Sequence, residues 1–151
     1  MGTRYSSCVP KGINASTGFR RVSLIDSTTK FSSRTNQVVE DCLFCRIISG
    51  DIPTDFVYED DQVIAFRDIN PQAPTHVLIV PRRHVATVDE LEDGDGELVG
   101  HMLLTARHLA RSEGIADSGY RLVLNCKSEG GQTVYHIHLH LMGGRQLRAM
   151  G

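Results

Sequence analysis

The sequence lacks any long apolar run. Its longest candidates, such as residues 77–80, are short and strand-like, whereas a helix that crosses a bilayer needs roughly 18 to 20 apolar residues. We therefore expect no membrane-spanning segment and no membrane partner.

Positive charge is scarce outside the first 39 residues. That segment holds six of the 16 basic residues but one of the 18 acidic residues. The remainder is acidic overall, which argues against broad electrostatic attraction to nucleic acid. We expect no nucleic-acid partner, and a nucleotide ligand would have to be held by local contacts.

Residues 1–39 are also rich in Ser and Thr and show no sustained periodicity. This composition is typical of an organellar transit peptide and predicts a mitochondrial or plastid location. The alternative is an ordinary disordered extension on a cytoplasmic protein. In either case, the chain of 151 residues with 40% hydrophobic content fits a single compact domain, which we place at residues 40–151.

Periodicity within that domain predicts an α+β fold. Apolar residues at helical spacing predict a short helix that starts after Asp41 and ends before Gly50, and a long helix over residues 98–110. Thr87 and Glu90 resemble a capping box ahead of the long helix. Five β-rich segments predict a mainly antiparallel five-stranded sheet, at residues 56–59, 63–66, 76–80, 120–125 and 134–142.

Three histidines alternate in the last predicted strand, at positions 136, 138 and 140. Because side chains alternate faces along a strand, His136, His138 and His140 should share one face, while the aliphatic residues between them enter the core. Histidines with a purely structural role in the core are the alternative, but the strict alternation favours a functional site.

Cys42 and Cys45 form a Cys-x-x-Cys pair, a spacing more typical of metal or redox chemistry than of a secreted disulfide framework. Two more ligands would close a tetrahedral zinc site. The three histidines could themselves ligate a catalytic zinc, but a closed structural site would leave imidazoles free to work without metal.

A glycine pair precedes the histidines, in the segment Gly130-Gly131-Gln132-Thr133. Glycines allow backbone N–H groups to approach an anion, and the Gln and Thr side chains add donors. Such a turn is commonly only a hairpin loop. Joined directly to the histidine strand, it is interpreted as an anion cradle that faces a nucleophile.

Residues 68–76, 130–140 and 143–146 closely resemble the Hint branch of the histidine triad superfamily. The resemblance runs from about Asp41 to Gln146. It implies a hydrolase of purine nucleoside phosphoramidates, mononucleotide esters or acyl-adenylates that releases AMP or GMP. His138 would be the nucleophile that carries a covalent nucleotidyl group, and His140 would contact the α-phosphate.

The resemblance also implies the remaining site residues. His136 and His76 would complete and support the triad, and Asp68 would bind the ribose. The other implied nucleotide contacts are the base-pocket residues Phe44, Ile47, Phe66 and Ile69 and the phosphate-side residues Asn125, Gly131, Gln132 and Thr133. Family members with Cys-x-x-Cys near the start bind structural Zn²⁺, which would here be held by Cys42, Cys45, His84 and His136.

The resemblance also implies a homodimer. In it the long helices of the two subunits pair, and their final strands join into one continuous sheet. One departure concerns the tail, because Hint-branch chains usually end in Trp-Pro-Pro-Gly and this chain contains no Trp. Two alternatives stay open: a nucleotide-binding scaffold with vestigial catalysis, and a zinc enzyme that uses the triad as metal ligands.

Overall fold

The computed structural model describes residues 41–148. The predicted extension at residues 1–39 lies outside this range. The short helix α1 spans Leu43–Ile48 and the long helix α2 spans Gly96–Ser112. Neither helix of the described chain has the length and apolar character required to cross a membrane.

Five antiparallel strands form one sheet: β1 Phe56–Glu59, β2 Val63–Arg67, β3 Thr75–Pro81, β4 Tyr120–Leu124 and β5 Leu139–Gly143. Their order is β1-β2-β3-β5-β4. The α+β fold with a five-stranded antiparallel sheet is therefore as predicted. The last strand lies inside the sheet, between β3 and β4, so the free edge on this side belongs to β4.

The sheet separates two apolar clusters, because alternate residues of each strand point to opposite faces. Val63 and Ala65 of β2 belong to the cluster that contains Met102, Ala106 and other buried residues of α2. Ile64 and Phe66 of the same strand belong to the cluster that contains Phe44 and Ile47 of α1. Each helix therefore covers one face of the sheet.

The last strand begins five residues later than predicted, at Leu139 instead of residue 134. His136 N donates to Val134 O across 2.9 Å, a tight local bend, and Ile137 N donates to the carbonyl of Val85 across 2.7 Å. These bonds replace a strand ladder before Leu139. Ile137, Leu139 and Leu141 nevertheless enter the core, as the alternation predicted.

The start of the long helix also differs from the prediction. Thr87 makes no capping hydrogen bond to the backbone. The capping box lies at Glu92 and Asp95, around the second of two short 3-10 helices, Val88–Glu90 and Asp93–Asp95. Asp95 accepts a hydrogen bond from the Glu92 amide at 2.9 Å, and α2 begins at the next residue, Gly96.

Candidate active site and metal centre

Four potential metal ligands meet where α1 approaches the segment before β5. Cys42, Cys45, His84 and His136 each offer a donor atom, and these atoms all lie within 4.8 Å of one another. Cys42 Sγ lies 3.5 Å and Cys45 Sγ 3.6 Å from His136 Nδ1. His84 Nδ1 lies 3.3 Å from Cys45 Sγ and 3.2 Å from His136 Nδ1.

These separations fit a tetrahedral zinc ion. With Zn–S bonds of about 2.3 Å and Zn–N bonds of about 2.0–2.1 Å, the edges between donor atoms are about 3.3 to 3.8 Å. His136 is also in the required tautomer. Its Nε2 lies 2.8 Å from the carbonyl of Pro81, which can only accept, so Nε2 carries the proton and Nδ1 presents its lone pair to the cluster.

A hydrogen bond to the backbone fixes the tautomer of His138. Its Nδ1 lies 2.7 Å from the backbone oxygen of His136. Because a carbonyl only accepts, Nδ1 carries the proton and the neutral ring keeps a lone pair on Nε2. The ring also packs edge-on against Phe44 of α1, with centroids 5.1 Å apart. Both contacts restrict its orientation.

A chain of hydrogen bonds fixes the tautomers of His76 and His140. The backbone amide of Gln72 donates to His76 Nδ1 across 3.1 Å, so neutral His76 carries its proton on Nε2. That atom lies 2.9 Å from His140 Nδ1, which must accept. Neutral His140 is therefore protonated on Nε2, a buried atom without a hydrogen-bond partner in the described residues. It is a donor available to an anion.

Burial keeps these imidazoles neutral. Desolvation lowers the pKa of His136 to about 4, and the neighbouring His84 and His138 add to this effect. Desolvation also lowers the pKa of His140 to about 4, again helped by neighbouring histidines. The pKa values of His76 and His138 are lowered for the same principal reason. The tautomers described above thus apply at neutral pH.

Asp68, His76 and His140 form a second group whose donor atoms lie within 4.8 Å. Asp68 Oδ2 lies 3.5 Å from His76 Nε2. To ligate a metal through Nε2, His76 would have to move its proton to Nδ1, where it would face the Gln72 amide donor. The geometry therefore favours a hydrogen-bond relay over metal ligation by this group, and His138 belongs to neither set.

The loop between β4 and the triad folds tightly on itself. Gly131 N donates to Ser128 O at 3.0 Å, and Gln132 N donates to Lys127 O at 2.9 Å. Gly131 adopts a φ of +79°, which favours glycine. A Cβ atom at Gly130 would lie 2.3 Å from the Cys126 carbonyl oxygen, so the backbone approaches itself too closely there for any other residue.

The family is shown by comparison with known sequences. The HIT domain profile matches residues 49–147. The chain belongs to the HIT family. It is 50% identical over 113 residues to a purine nucleoside phosphoramidase of Escherichia coli strain K12, a match that covers 75% of this chain and 95% of the relative.

Solved structures of HIT proteins share the fold. A HIT family hydrolase from Legionella pneumophila is 56% identical with a TM-score of 0.70, over 72% of this chain and 96% of that one. A zinc-bound histidine triad protein from Mycobacterium smegmatis is 31% identical with a TM-score of 0.63, over 70% and 76% of the two chains.

The structure of this HIT domain brings most of the predicted site residues to the α1 face of the sheet. Phe44, Ile47 and Phe66 lie together in the cluster under α1, and Phe44 contacts the rings of both His136 and His138. Ile69, also predicted in the base pocket, is 91% exposed. Asn125 lies beside Gly131, its Nδ2 4.0 Å from an ideal Cβ there, and Thr133 is exposed.

Several groups that shape the HIT site were not predicted from the sequence. They are the carbonyls of Pro81 and His136, which orient two histidines, and the amide of Gln72, which orients a third. All are backbone atoms, so no residue type marks them. Asn70 and Pro71 are typical turn residues and indicate a loop near Gln72, but they do not indicate which amide faces a histidine.

Proposed function

We propose that this HIT domain hydrolyses purine nucleoside phosphoramidates, and related mononucleotide esters or acyl-adenylates, through a nucleotidyl intermediate on His138. The observation that carries the proposal is the 2.7 Å contact between His138 Nδ1 and the carbonyl of His136. It leaves the lone pair on Nε2, which is the form a histidine nucleophile needs.

The reaction would proceed in two displacements. His138 Nε2 attacks the α-phosphorus, a bond forms between nitrogen and phosphorus, and the bond to the leaving amine breaks as that amine takes up one proton. Water then attacks the same phosphorus, gives up one proton, and releases AMP or GMP. His138 returns to its starting form without a net change of protons on the enzyme.

His140 is suited to stabilise the charge that develops on the phosphoryl oxygens. The buried N–H on its Nε2 has no partner in the described residues, and its ring centroid lies 4.9 Å from that of His138. A donor that is oriented beforehand in a dry site costs no reorganisation during the reaction. The relay from Gln72 through His76 holds it in this form.

The substrate class is supported by the relatives and by the site. The Escherichia coli relative is a purine nucleoside phosphoramidase. Asp68, near His76, would accept hydrogen bonds from ribose hydroxyls, and the cluster of Phe44, Ile47 and Phe66 would support a purine. The phosphate would lie between His140 and the loop from Asn125 to Thr133. Ile69, which is exposed, would contact the base from the surface.

Zinc is the metal proposed for the four-ligand cluster, where it would have a structural role. Two thiols and two imidazoles are a common set of zinc ligands, and a histidine triad neighbour from Mycobacterium smegmatis is zinc-bound. All four positions are filled by side chains, so the site is closed. Bound zinc would tie α1 to the segment before β5 through Cys42, Cys45, His84 and His136.

We also propose a homodimer in which the two subunits pair through β4 rather than through β5. β4 has a free edge in the described chain, and an unpaired edge is a template for further pairing. Leu103 and Leu104 of α2 are 44% and 54% exposed. A two-fold partner that pairs with β4 and covers α2 would bury both features. Light scattering at about ten micromolar should give twice the mass of one chain.

Turnover of an adenosine phosphoramidate, with and without a mild chelator, tests the proposed function. We expect release of AMP that persists after brief chelation, because neither the nucleophile nor its relay requires a metal. Prompt loss of activity would instead favour a metalloenzyme that uses the triad as ligands. Tight AMP binding without turnover would favour a nucleotide-binding scaffold.

A further inference from the structure

The side chain of Gln132 is buried and fully engaged with the protein. It is 4% exposed. Its Nε2 donates to the carbonyl of Ala86 at 2.7 Å and to the carbonyl of Val134 at 3.0 Å. Its Oε1 accepts from the backbone amide of Lys127 at 2.8 Å. Two acceptors at one end and one donor at the other fix the orientation of the carboxamide.

This arrangement is incompatible with a direct contact to phosphate. A phosphate oxygen needs a donor, and a glutamine amide has two N–H bonds. Both are already used by carbonyl groups. To reach a phosphate, Gln132 would have to leave a buried carbonyl without its partner, which costs free energy.

The three groups that Gln132 joins belong to different parts of the site. Ala86 lies two residues after the metal-ligand candidate His84, Lys127 lies in the loop after β4, and Val134 leads into the triad. Lys127 has a φ of +60°, a left-handed conformation that is unfavourable for a side chain other than glycine. Its amide and carbonyl both bond to Gln132, which holds it in that conformation.

We infer that Gln132 is a positioning residue, which shapes the loop from Asn125 to Thr133 for the phosphate by anchoring it to Ala86 and does not touch the substrate. The inference rests on the proposed function for the identity of the ligand. It differs from the phosphate-side contact that the family resemblance implied for this side chain. The loop backbone and Thr133 remain the groups that would meet the phosphate.

The first test needs no nucleotide. In Gln132→Glu, one carboxylate oxygen can accept from the Lys127 amide, but the other faces two carbonyl oxygens. Burial next to acceptors raises the pKa of such a carboxyl group, so its protonated form, which can donate, is favoured as pH falls. We expect the melting temperature to lie well below wild type at pH 8 and the difference to shrink towards pH 5. The control is Gln62→Glu at an exposed turn position.

A difference for Gln132→Glu that stays the same across this pH range, as expected for a side chain that faces solvent or an empty phosphate site, would overturn the inference. This outcome is independent of whether the protein turns over any phosphoramidate. A failure of the proposed function therefore cannot be mistaken for a failure of the inference about Gln132.

The second test uses Gln132→Met, which keeps the length of the side chain but removes its hydrogen bonds. We expect faster hydrogen exchange at the Lys127 amide in the free protein. We also expect weaker AMP binding, and kcat/KM lowered about 100-fold for phosphoramidates with either a good or a poor leaving group, because the whole loop is displaced. Gln62→Met should match wild type. Unchanged exchange at Lys127 would overturn the inference, and so would a loss confined to the poor leaving group, which is the result expected of a direct contact.

Discussion

The Nε2 atom of His76 lies 2.9 Å from the Nδ1 atom of His140, and this contact determines which nitrogen of His140 carries a proton. The Gln72 amide on the other side of His76 removes the alternative tautomer. The order of donors and acceptors therefore runs in one direction, from a backbone amide to the buried N–H of His140.

This relay predicts a specific tautomer for His140. At pH 7, the ¹⁵N chemical shifts should show a neutral ring protonated on Nε2, and the ring should titrate with a pKa of about 4 because burial and the neighbouring histidines disfavour its charge. His76→Ala should redistribute the proton and lower turnover. His108→Ala, on the exposed side of α2, is the control. A His140 ring protonated on Nδ1 in the wild type would contradict the relay.

His138→Ala should abolish turnover of an adenosine phosphoramidate and leave AMP affinity within about tenfold, since no other group nearby can replace a lost nucleophile. Wild-type enzyme denatured during turnover, under non-acidic conditions that preserve a phosphoramidate bond, should carry a nucleotide on His138 by mass spectrometry. Repeated absence of this adduct would argue against the covalent route.

Elemental analysis should find one zinc per chain in protein purified without chelator. The double variant Cys42→Ser/Cys45→Ser should lose the metal and melt at a lower temperature, because the tie between α1 and the segment before β5 is lost. Cys126→Ser replaces a cysteine outside the cluster and should retain both metal content and stability. Wild-type protein without zinc would remove the hypothesis.

Asp60 should stabilise the turn between β1 and β2 in a pH-dependent way. Burial alone would raise its pKa, but hydrogen bonds from the amides of Val63 and Gln62 and from His101 and Tyr58 outweigh burial and hold the pKa well below its usual range. A lowered pKa contributes stability above the unfolded-state value of roughly 3.9, and this contribution is lost as pH falls towards the folded-state value.

Asp60→Ala should therefore lower the free energy of unfolding by about 1–2 kcal/mol at pH 7, and the difference from wild type should narrow below about pH 4. Chemical denaturation at several pH values measures this. Asp61→Ala, at the neighbouring exposed position, provides the control. An equal loss from both variants would show that the hydrogen bonds to Asp60 contribute little.

Gly130→Ala should disturb the loop from Asn125 to Thr133, and with it turnover, more than it disturbs the stability of the fold. The added Cβ would lie 2.3 Å from the Cys126 carbonyl oxygen, so the backbone of the loop has to move. We expect kcat/KM to fall about 100-fold, with a much smaller change in melting temperature because the loop lies at the surface. Gly94→Ala, where an added Cβ meets nothing within 4 Å, should retain activity.

The sequence by itself determined the parts of this protein that depend on local pattern. Alternation around Ile137, Leu139 and Leu141 predicted which side chains enter the core, and they do. The spacing of Cys42 and Cys45 indicated a metal cluster, and the structure brings these residues together with His84 and His136. The same alternation overestimated the length of the last strand. Residues 134–138 keep the pattern of a strand, but their backbone bends and bonds to the carbonyls of Val85 and Val134.

Only the tertiary structure decided the contacts between groups far apart in the chain. Nothing in the sequence pattern pairs His101 with Asp60, yet His101 Nε2 lies 2.7 Å from Asp60 Oδ2. The edge position of β4 follows from the strand order, in which β5 lies between β3 and β4. The protonation of the histidines in the candidate site is set by the Pro81 or His136 carbonyl or the Gln72 amide. Every residue carries such backbone groups, so only folding selects those that face an imidazole.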